Sequence, residues 1–330
     1  MQGLSGVRAG YRPRNGNVMS MITEVAVTAD WDVLVMAYGT PRTLDEVEPY
    51  YTHIRRGRPP SPEQLKELVR RYEAIGGVSP LNEITTKQVR AIETALRGRG
   101  WNGRVYLGMK HWHPFIAEAV EQMAKDGVQR AVGVVLAPHY SRLSVGGYID
   151  YALQAREQVA ADMELRFVER WGSHPLFIEA VARKVQEAME GWRPEQTMVV
   201  FSAHSLPARI HQWGDPYERE LMDSAQMVAQ KLNLPYWTFA YQSASNTGEP
   251  WLEPDILDRL EEIAGEWSPK QVLCCAIGFV ADHLEVLYDL DVDARQKCEA
   301  LGLRYRRAAS LNDDPLMAEA IADVVLQKME

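Results

Sequence analysis

The residues of this chain best able to do chemistry are one histidine and a file of carboxylates. His204 stands between Ala203 and Ser205, directly after an apolar run and just ahead of Pro207. The carboxylates lie in and after Gly278-Phe-Val-Ala-Asp-His-Leu-Glu-Val-Leu-Tyr-Asp289, which follows the apolar stretch Gln271-Val-Leu-Cys-Cys-Ala-Ile277. Glu285, Asp289 and Asp293 recur every fourth residue, so on a continued helix they share one face. Acids in file repel one another, a cost that a cation or a proton relay would relieve. Imidazole, with an ordinary pKa of about 6.5, exchanges protons near neutrality and binds metals when neutral. A histidine that faces an acid helix across a cleft therefore suits metal capture, proton abstraction, or both. An isolated histidine would more simply cap a strand end. The strand-edge placement and the companion Glu285 favour function here.

Other chemistries fit less well. Ser202 and Ser205 flank His204, but no Gly-x-Ser-x-Gly elbow is present, and sequence neighbours cannot form the triad hydrogen bond. Neither Cys-x-x-Cys nor His-Glu-x-x-His occurs, which argues against a tight zinc site. A Gly-x-Gly-x-x-Gly fingerprint is also missing, and Gly76-Gly77 alone is a weak phosphate signal. Two further segments mix guanidinium, aromatic and small residues: Tyr50-Tyr-Thr-His-Ile-Arg-Arg-Gly-Arg-Pro-Pro60 and Arg71-Tyr-Glu-Ala-Ile-Gly-Gly-Val-Ser-Pro80. A charge run is by default a solvated turn. Arginine forks interleaved with tyrosines instead suit a flat apolar ligand that carries acidic arms.

The elements that must position these groups are legible as four apolar runs. Asp32–Ala37 leads into Tyr38-Gly-Thr-Pro41, and Ala131–Leu136 into Ala137-Pro-His-Tyr-Ser141. Thr197–Phe201 leads into Ser202-Ala-His-Ser-Leu-Pro207, and Gln271–Ile277 into the acidic segment. Near-continuous apolar strands suit a parallel sheet buried on both faces. Amphipathic helices are predicted over 63–75, 86–96, 114–126, 147–163, 175–189 and 217–232, and a last one from Asp314 after an Asn-Asp-Asp-Pro cap signal. The alternation predicts an α/β fold of two Rossmann-like lobes, parallel sheets flanked by helices with a cleft between them. In such folds ligands bind at the carboxyl edge of the strands, where all four clusters lie. The lobes are expected over 31–166 and 167–310, with the helix of 311–330 packing back on the first. Residues 1–30 mix Gly, Arg and Ser without period and are expected to be a disordered extension.

Composition narrows the partners. A chain of 330 residues with net charge -9 lacks the basic field that nucleic acid needs. No apolar run approaches the ~20 residues of a membrane span, so a soluble, cytoplasmic protein without stable membrane anchoring is expected. Cys274, Cys275 and Cys298 are too few for a disulfide framework; the adjacent pair should point to opposite faces of a buried strand.

Taken together, Tyr38-Gly-Thr-Pro41, Tyr50-Tyr-Thr-His-Ile-Arg-Arg56, Tyr72-Glu-Ala-Ile-Gly-Gly77, Ser202-Ala-His-Ser-Leu-Pro207 and Gly278–Asp289 resemble the ferrochelatase family, in the family's order from about Asp32 to the end. Tyr38 is similar to the tyrosine of the Gram-positive, coproporphyrin-using branch. The resemblance implies insertion of Fe(II) into a porphyrin, here coproporphyrin III, with His204 and Glu285 as the catalytic and metal-site pair. It implies that Tyr38 faces the macrocycle and ligates iron in the product. Ile54, Arg55, Arg71, Tyr72, Ser79 and Tyr148 match porphyrin-contacting positions, and Asp289 is a candidate for a secondary divalent site. Lys110-His111 matches a pair near the cleft to which no role attaches. Fe(II) is then substrate, no cofactor is held tightly, and no iron–sulfur cluster is expected because the C-terminal cysteines of some relatives have no counterpart. A monomer is expected. The rivals are a protoporphyrin IX ferrochelatase, a cobalt or nickel chelatase, and a haem carrier on the same fold; a carrier would have no use for Glu285.

Overall fold

The computed structural model describes residues 30–245, 247–267 and 270–330. The extension expected over residues 1–30 lies outside them except for Asp30. Two four-stranded parallel sheets organise the described residues. The first contains β1 (Asp32–Ala37), β2 (Val105–Met109), β3 (Arg130–Val135) and β4 (Glu164–Val168), in the order β2-β1-β3-β4. The second contains β5 (Thr197–His204), β6 (Trp237–Gln242), β7 (Gln271–Cys275) and β8 (Arg304–Arg307), in the order β6-β5-β7-β8. Each sheet thus starts from an inner strand and winds both ways, and the lobes repeat one topology. The lobe boundary expected at 166/167 falls inside β4, which stays paired with β3 through Val168.

The helices are α1 (Val47–Ile54), α2 (Pro62–Ala74), α3 (Leu81–Gly98), α4 (Ile116–Lys125), α5 (Val145–Val159), α6 (Pro175–Ala188), α7 (Tyr217–Lys231), α8 (Ile256–Glu266), α9 (Arg295–Ala300) and α10 (Pro315–Met329). A π-helix, Val286–Ala294, runs directly into α9. The first of the two arginine-and-tyrosine segments, Tyr50–Pro60, begins inside α1. That helix stops where Arg56 and Gly57 both take positive φ, a turn that only Gly adopts without strain. Ser61 then starts α2 with a reciprocal capping box to Gln64.

Strand alternation builds the core. Leu34 and Met36 of β1 pack with Ile116, Val120 and Met123 of α4 and with Val145 and Ala152 of α5. Val33 and Val35 face the other way, into a cluster that also holds Val199 and Phe201 of β5 and Leu273 of β7. Phe177 and Val181 of α6 and Met317, Ile321 and Val325 of α10 belong to that same cluster. Each such fully buried side chain contributes roughly 1.5–3 kcal/mol. One continuous core therefore joins the two lobes. Cys274 and Cys275 do point to opposite faces, Cys275 into the shared core and Cys274 towards α8 and α9. Helix α10 lies against α3, α6, β3 and β4. Asp314 caps it by accepting from the Leu316 N–H at 2.9 Å, and Arg99, just after α3, binds Glu319 at 2.7 Å and Asp323 at 2.9 Å.

Candidate active site

The second sheet delivers His204 as the last residue of β5. Its Nδ1 meets the Ser205 carbonyl, which can only accept, so Nδ1 carries the proton and Nε2 is the basic nitrogen. That Nε2 lies 3.7 Å from Glu285 Oε2. The Tyr217 hydroxyl donates to the His204 carbonyl at 3.0 Å and fixes the strand end. Gly278 is required beside it: a Cβ there would sit 2.4 Å from Ala203 Cβ and 2.9 Å from Ala203 Cα. Its absence lets the loop after β7 lie on the end of β5, with Gly278 N–H donating to Ser202 O at 3.1 Å.

A second imidazole approaches the same carboxylate. His283 Nδ1 donates to Ala281 O at 2.9 Å, which turns Nε2 towards Glu285 Oε2 at 3.6 Å. Burial alone would raise the Glu285 pKa, but His204, His283 and Arg71 hold it down to about 2. Burial likewise opposes charge on His283, and Glu285 overrides it to raise the pKa. The site therefore keeps a carboxylate ionised between two imidazoles whose free nitrogens both face it. It can hold a cation, accept a proton, and pass that proton between nitrogens.

The π-helix carries the next acids. Asp289 is only 8% exposed and accepts from the Ser243 hydroxyl and from Gln242 Nε2 at 3.3 Å. Burial raises its pKa to about 6 despite these donors, and Glu285 adds to the rise. Burial raises Asp293 as well, against the pull of Arg71 and Arg70. Tyr288, just before Asp289, receives Arg70 Nη2 on its hydroxyl at 2.7 Å and lies under Arg71, 4.9 Å from ring centre to guanidinium. Arg71 is itself held by Glu67 at 3.0 Å.

The first lobe supplies the opposite wall. β1 ends at Ala37, and Gly39 turns the chain at φ +83°, where a Cβ would meet Trp112 at 3.0 Å. Asn82 of α3 then grips Thr40 by both backbone groups, at 3.1 and 2.7 Å, and Thr40 shares a 3.1 Å hydrogen bond with the buried Tyr72 hydroxyl. Tyr38 is 38% exposed with its ring 4.6 Å from that of His111. Crowding by the surrounding protein and then the charge of Glu285 raise the Tyr38 pKa. Lys110 sits 4.8 Å from the ring centre of Tyr148, its pKa lowered by burial and by Arg56. His111 is pushed down to about 3 by burial, Lys110 and His53, and shares a 3.2 Å contact between Nδ1 atoms with His53. Among the described residues no three His, Cys, Asp or Glu side chains converge as a metal cage.

This arrangement has counterparts. A family model described as ferrochelatase matches residues 32–329. The chain belongs to the ferrochelatase family. A ferrochelatase from Herpetosiphon aurantiacus is 44% identical over 303 residues, covering 91% of this chain and 99% of that protein. A coproporphyrin III ferrochelatase from Geobacillus thermodenitrificans is 43% identical, over 90% and 95% of the two chains. A ferrochelatase from Thermus thermophilus is 46% identical, over 89% and 98%. Among solved structures, SirB from Bacillus subtilis with Fe3+ matches with a TM-score of 0.58 at 11% identity, over 91% of this chain and 94% of that one. At that identity it shows the shared two-lobed fold alone.

Within this ferrochelatase fold, Glu285 lies near His204, its carboxylate is held down by Arg71, and its charge bears on Tyr38, Tyr72, Tyr148 and Asp289. Ile54 and Arg55 stand at the end of α1. Arg55 Nε donates to Arg58 O at 3.2 Å, and its guanidinium lies 5.5 Å from the Tyr51 ring centre. Ser79 is buried, and its hydroxyl accepts from Leu81 N–H at 3.3 Å at the start of α3. Asp282, which the sequence presents beside the acid file, belongs instead to a network behind it. His283 is the residue that sequence reasoning left without a role; its signal was the spacing of two from Glu285. No helix among the described residues is long and apolar enough to cross a membrane.

Proposed function

We propose that this chain inserts Fe(II) into coproporphyrin III, releasing both pyrrole N–H protons to give Fe-coproporphyrin. The observation that carries the reading is the His204–Glu285 pair, Nε2 to Oε2 at 3.7 Å, whose carboxylate charge is felt at Tyr38. Metallation exchanges two protons for one dication, so a base must stand near the ring centre and a carboxylate must meet the cation. His204 Nε2 is that base. Glu285 holds Fe(II) as incoming substrate and hands protons on to His283. Asp289, at about 6, ionises across the working pH range and serves as a secondary divalent site outward of Glu285. Tyr38 approaches the macrocycle from the other face and ligates the product iron. Binding the acidic arms of the ring provides free energy to bend it towards the metal.

Ile54, Arg55, Arg71, Tyr72, Ser79 and Tyr148 form the porphyrin-binding set. Four carboxylates on coproporphyrin match the arginine-rich rim of Arg55, Arg56, Arg58 and Arg71 better than the two on protoporphyrin IX do. Several relatives at 40–44% identity are coproporphyrin III ferrochelatases, which supports the same choice. The protein is assigned to the cytoplasm as a monomer, over lobes 31–168 and 169–310. The test is anaerobic Fe(II) insertion with coproporphyrin III and protoporphyrin IX side by side. Preferential metallation of coproporphyrin, lost in His204→Ala, is expected. Preference for protoporphyrin overturns the substrate; haem binding without metallation overturns the enzyme in favour of a carrier.

A further inference from the structure

Glu285 sits at the entrance of a helix that should not be stable by itself. π-winding is rare and occurs mostly as single-turn bulges, yet here it runs from Val286 to Ala294. Tertiary contacts must hold it. Tyr288 is held by Arg70 of α2, and Asp289 by Ser243 and Gln242 at the end of β6. The third anchor is Arg307, the last residue of β8, whose side chain is 12% exposed. Its Nε and Nη2 donate to the two oxygens of Asp291, each at 2.9 Å, and its Nη1 donates to Asp282 Oδ1 at 3.0 Å. One guanidinium therefore binds an acid just before Glu285 and another after it.

Asp282 is fixed from every side. It accepts from Ser310 Oγ at 2.8 Å and Asn312 Nδ2 at 3.0 Å, and its own N–H donates to Asn312 Oδ1 at 2.9 Å. Asn312 N–H donates to Val280 O at 2.8 Å. Gln88, buried on α3 in the other lobe, reaches both Val280 O at 3.2 Å and Asn312 O at 2.9 Å. The loop that presents His283 and Glu285 is thus tied to β8 and keyed to the first lobe. We propose that Arg307 is a positioning residue: it spans Asp282 and Asp291 and so fixes where the Glu285 carboxylate meets the incoming cation. The inference rests on the reading of Glu285 as the metal-facing group. Arg307 itself contacts neither His204 nor Glu285 and acts only through the loop.

A matched control exists. Arg99 is 15% exposed and also binds two acids, Glu319 and Asp323, but on α10 behind the shared core. The experiment compares Arg307→Gln, Arg307→Lys, Asp291→Asn and Arg99→Gln in the full chain. Three readouts are taken: hydrogen exchange over 280–294, initial Zn(II) insertion rates against metal concentration at saturating coproporphyrin, and porphyrin affinity by fluorescence quenching. Arg307→Gln is expected to speed exchange in that segment and lower kcat/KM for the metal about 10–100-fold, with porphyrin Kd within about twofold. Arg307→Lys keeps the charge but not the fork and should not restore the rate. Asp291→Asn should shift both readouts in the same direction by less, and covers the case in which Arg307→Gln fails to fold. Arg99→Gln should lower Tm without moving exchange in the segment or the metal term. Equal behaviour of the Arg307 and Arg99 variants, or loss of porphyrin affinity in step with the metal term, overturns the inference. A wild type that metallates neither porphyrin removes the function reading, and the exchange result still decides the clamp.

Discussion

Asp289→Asn should make the metal-free protein more stable and the site less useful. Asp289 is 8% exposed and holds its proton up to about 6, against an ordinary 3.8. The folded-state pKa is raised, so this side chain favours folding only while protonated. Its favourable contribution is complete below the unfolded pKa and is lost as pH rises through about 6. At ~1.36 kcal/mol per pH unit, ionised Asp289 costs the fold roughly 3 kcal/mol at pH 8 and about 1.6 kcal/mol at pH 5. Asparagine removes that cost while its carbonyl still accepts from Ser243 and Gln242. The charge-assisted bonds from Ser243 and Gln242 are already contained in the pKa of about 6. The net expectation is stabilisation by about 3 kcal/mol at pH 8, with the advantage over wild type about 1.4 kcal/mol smaller at pH 5.

Urea unfolding of both proteins at pH 5, 6, 7 and 8, with metal chelated, measures this directly. Adding a divalent cation at pH 8 should then raise the wild type more than the Asn variant, because a ligand of the folded state stabilises it and the variant keeps only the His204–Glu285 site. A gap that does not change with pH, or an Asn variant less stable at pH 8, would refute the argument that burial of this carboxylate is what costs the fold.

Glu285→Gln keeps the shape of the metal-facing group and removes its charge; insertion should fall by at least about 10²-fold with porphyrin affinity retained, as read by stopped-flow absorbance and quenching. Tyr38→Phe should leave insertion within severalfold of wild type but change the absorption spectrum of the product after oxidation by air to the ferric state, because the variant lacks the proposed Tyr38 oxygen ligand. Gly278→Ala places a Cβ 2.4 Å from Ala203 Cβ and should destabilise the fold by about 1–3 kcal/mol or more, seen as a lower Tm in calorimetry.

What could be read from the sequence divides along a physical line. The strands expected from apolar runs, β1, β3, β5 and β7, are the inner strands of the two sheets. The strands not expected, β2, β4, β6 and β8, are their edges. An inner parallel strand is buried on both faces and must be apolar throughout, as Asp32–Ala37 nearly is; an edge strand such as Arg304-Tyr-Arg-Arg307 is under no such demand. α1 escaped for a related reason, because its tyrosines and histidine read as a binding rim before they read as a helix.

The site divides the same way. His204 and Glu285 are legible because each follows an inner strand at its carboxyl end, where topology alone brings them together. The fourfold spacing of Glu285, Asp289 and Asp293 suggested a shared face, but not a π-helix, and not that Asp289 would be nearly enclosed. Those properties depend on partners far along the chain: Gln242 and Ser243 for Asp289, Arg70 for Tyr288, Arg307 for Asp291. Asp282 makes the point most sharply. It lies in the same run, three residues ahead of Glu285, yet its carboxylate is turned to Arg307, Ser310 and Asn312, residues delivered by the next strand and the loop after it. Local pattern identifies which residues can do chemistry. Which way each acid turns depends on partners delivered at the ends of β6 and β8.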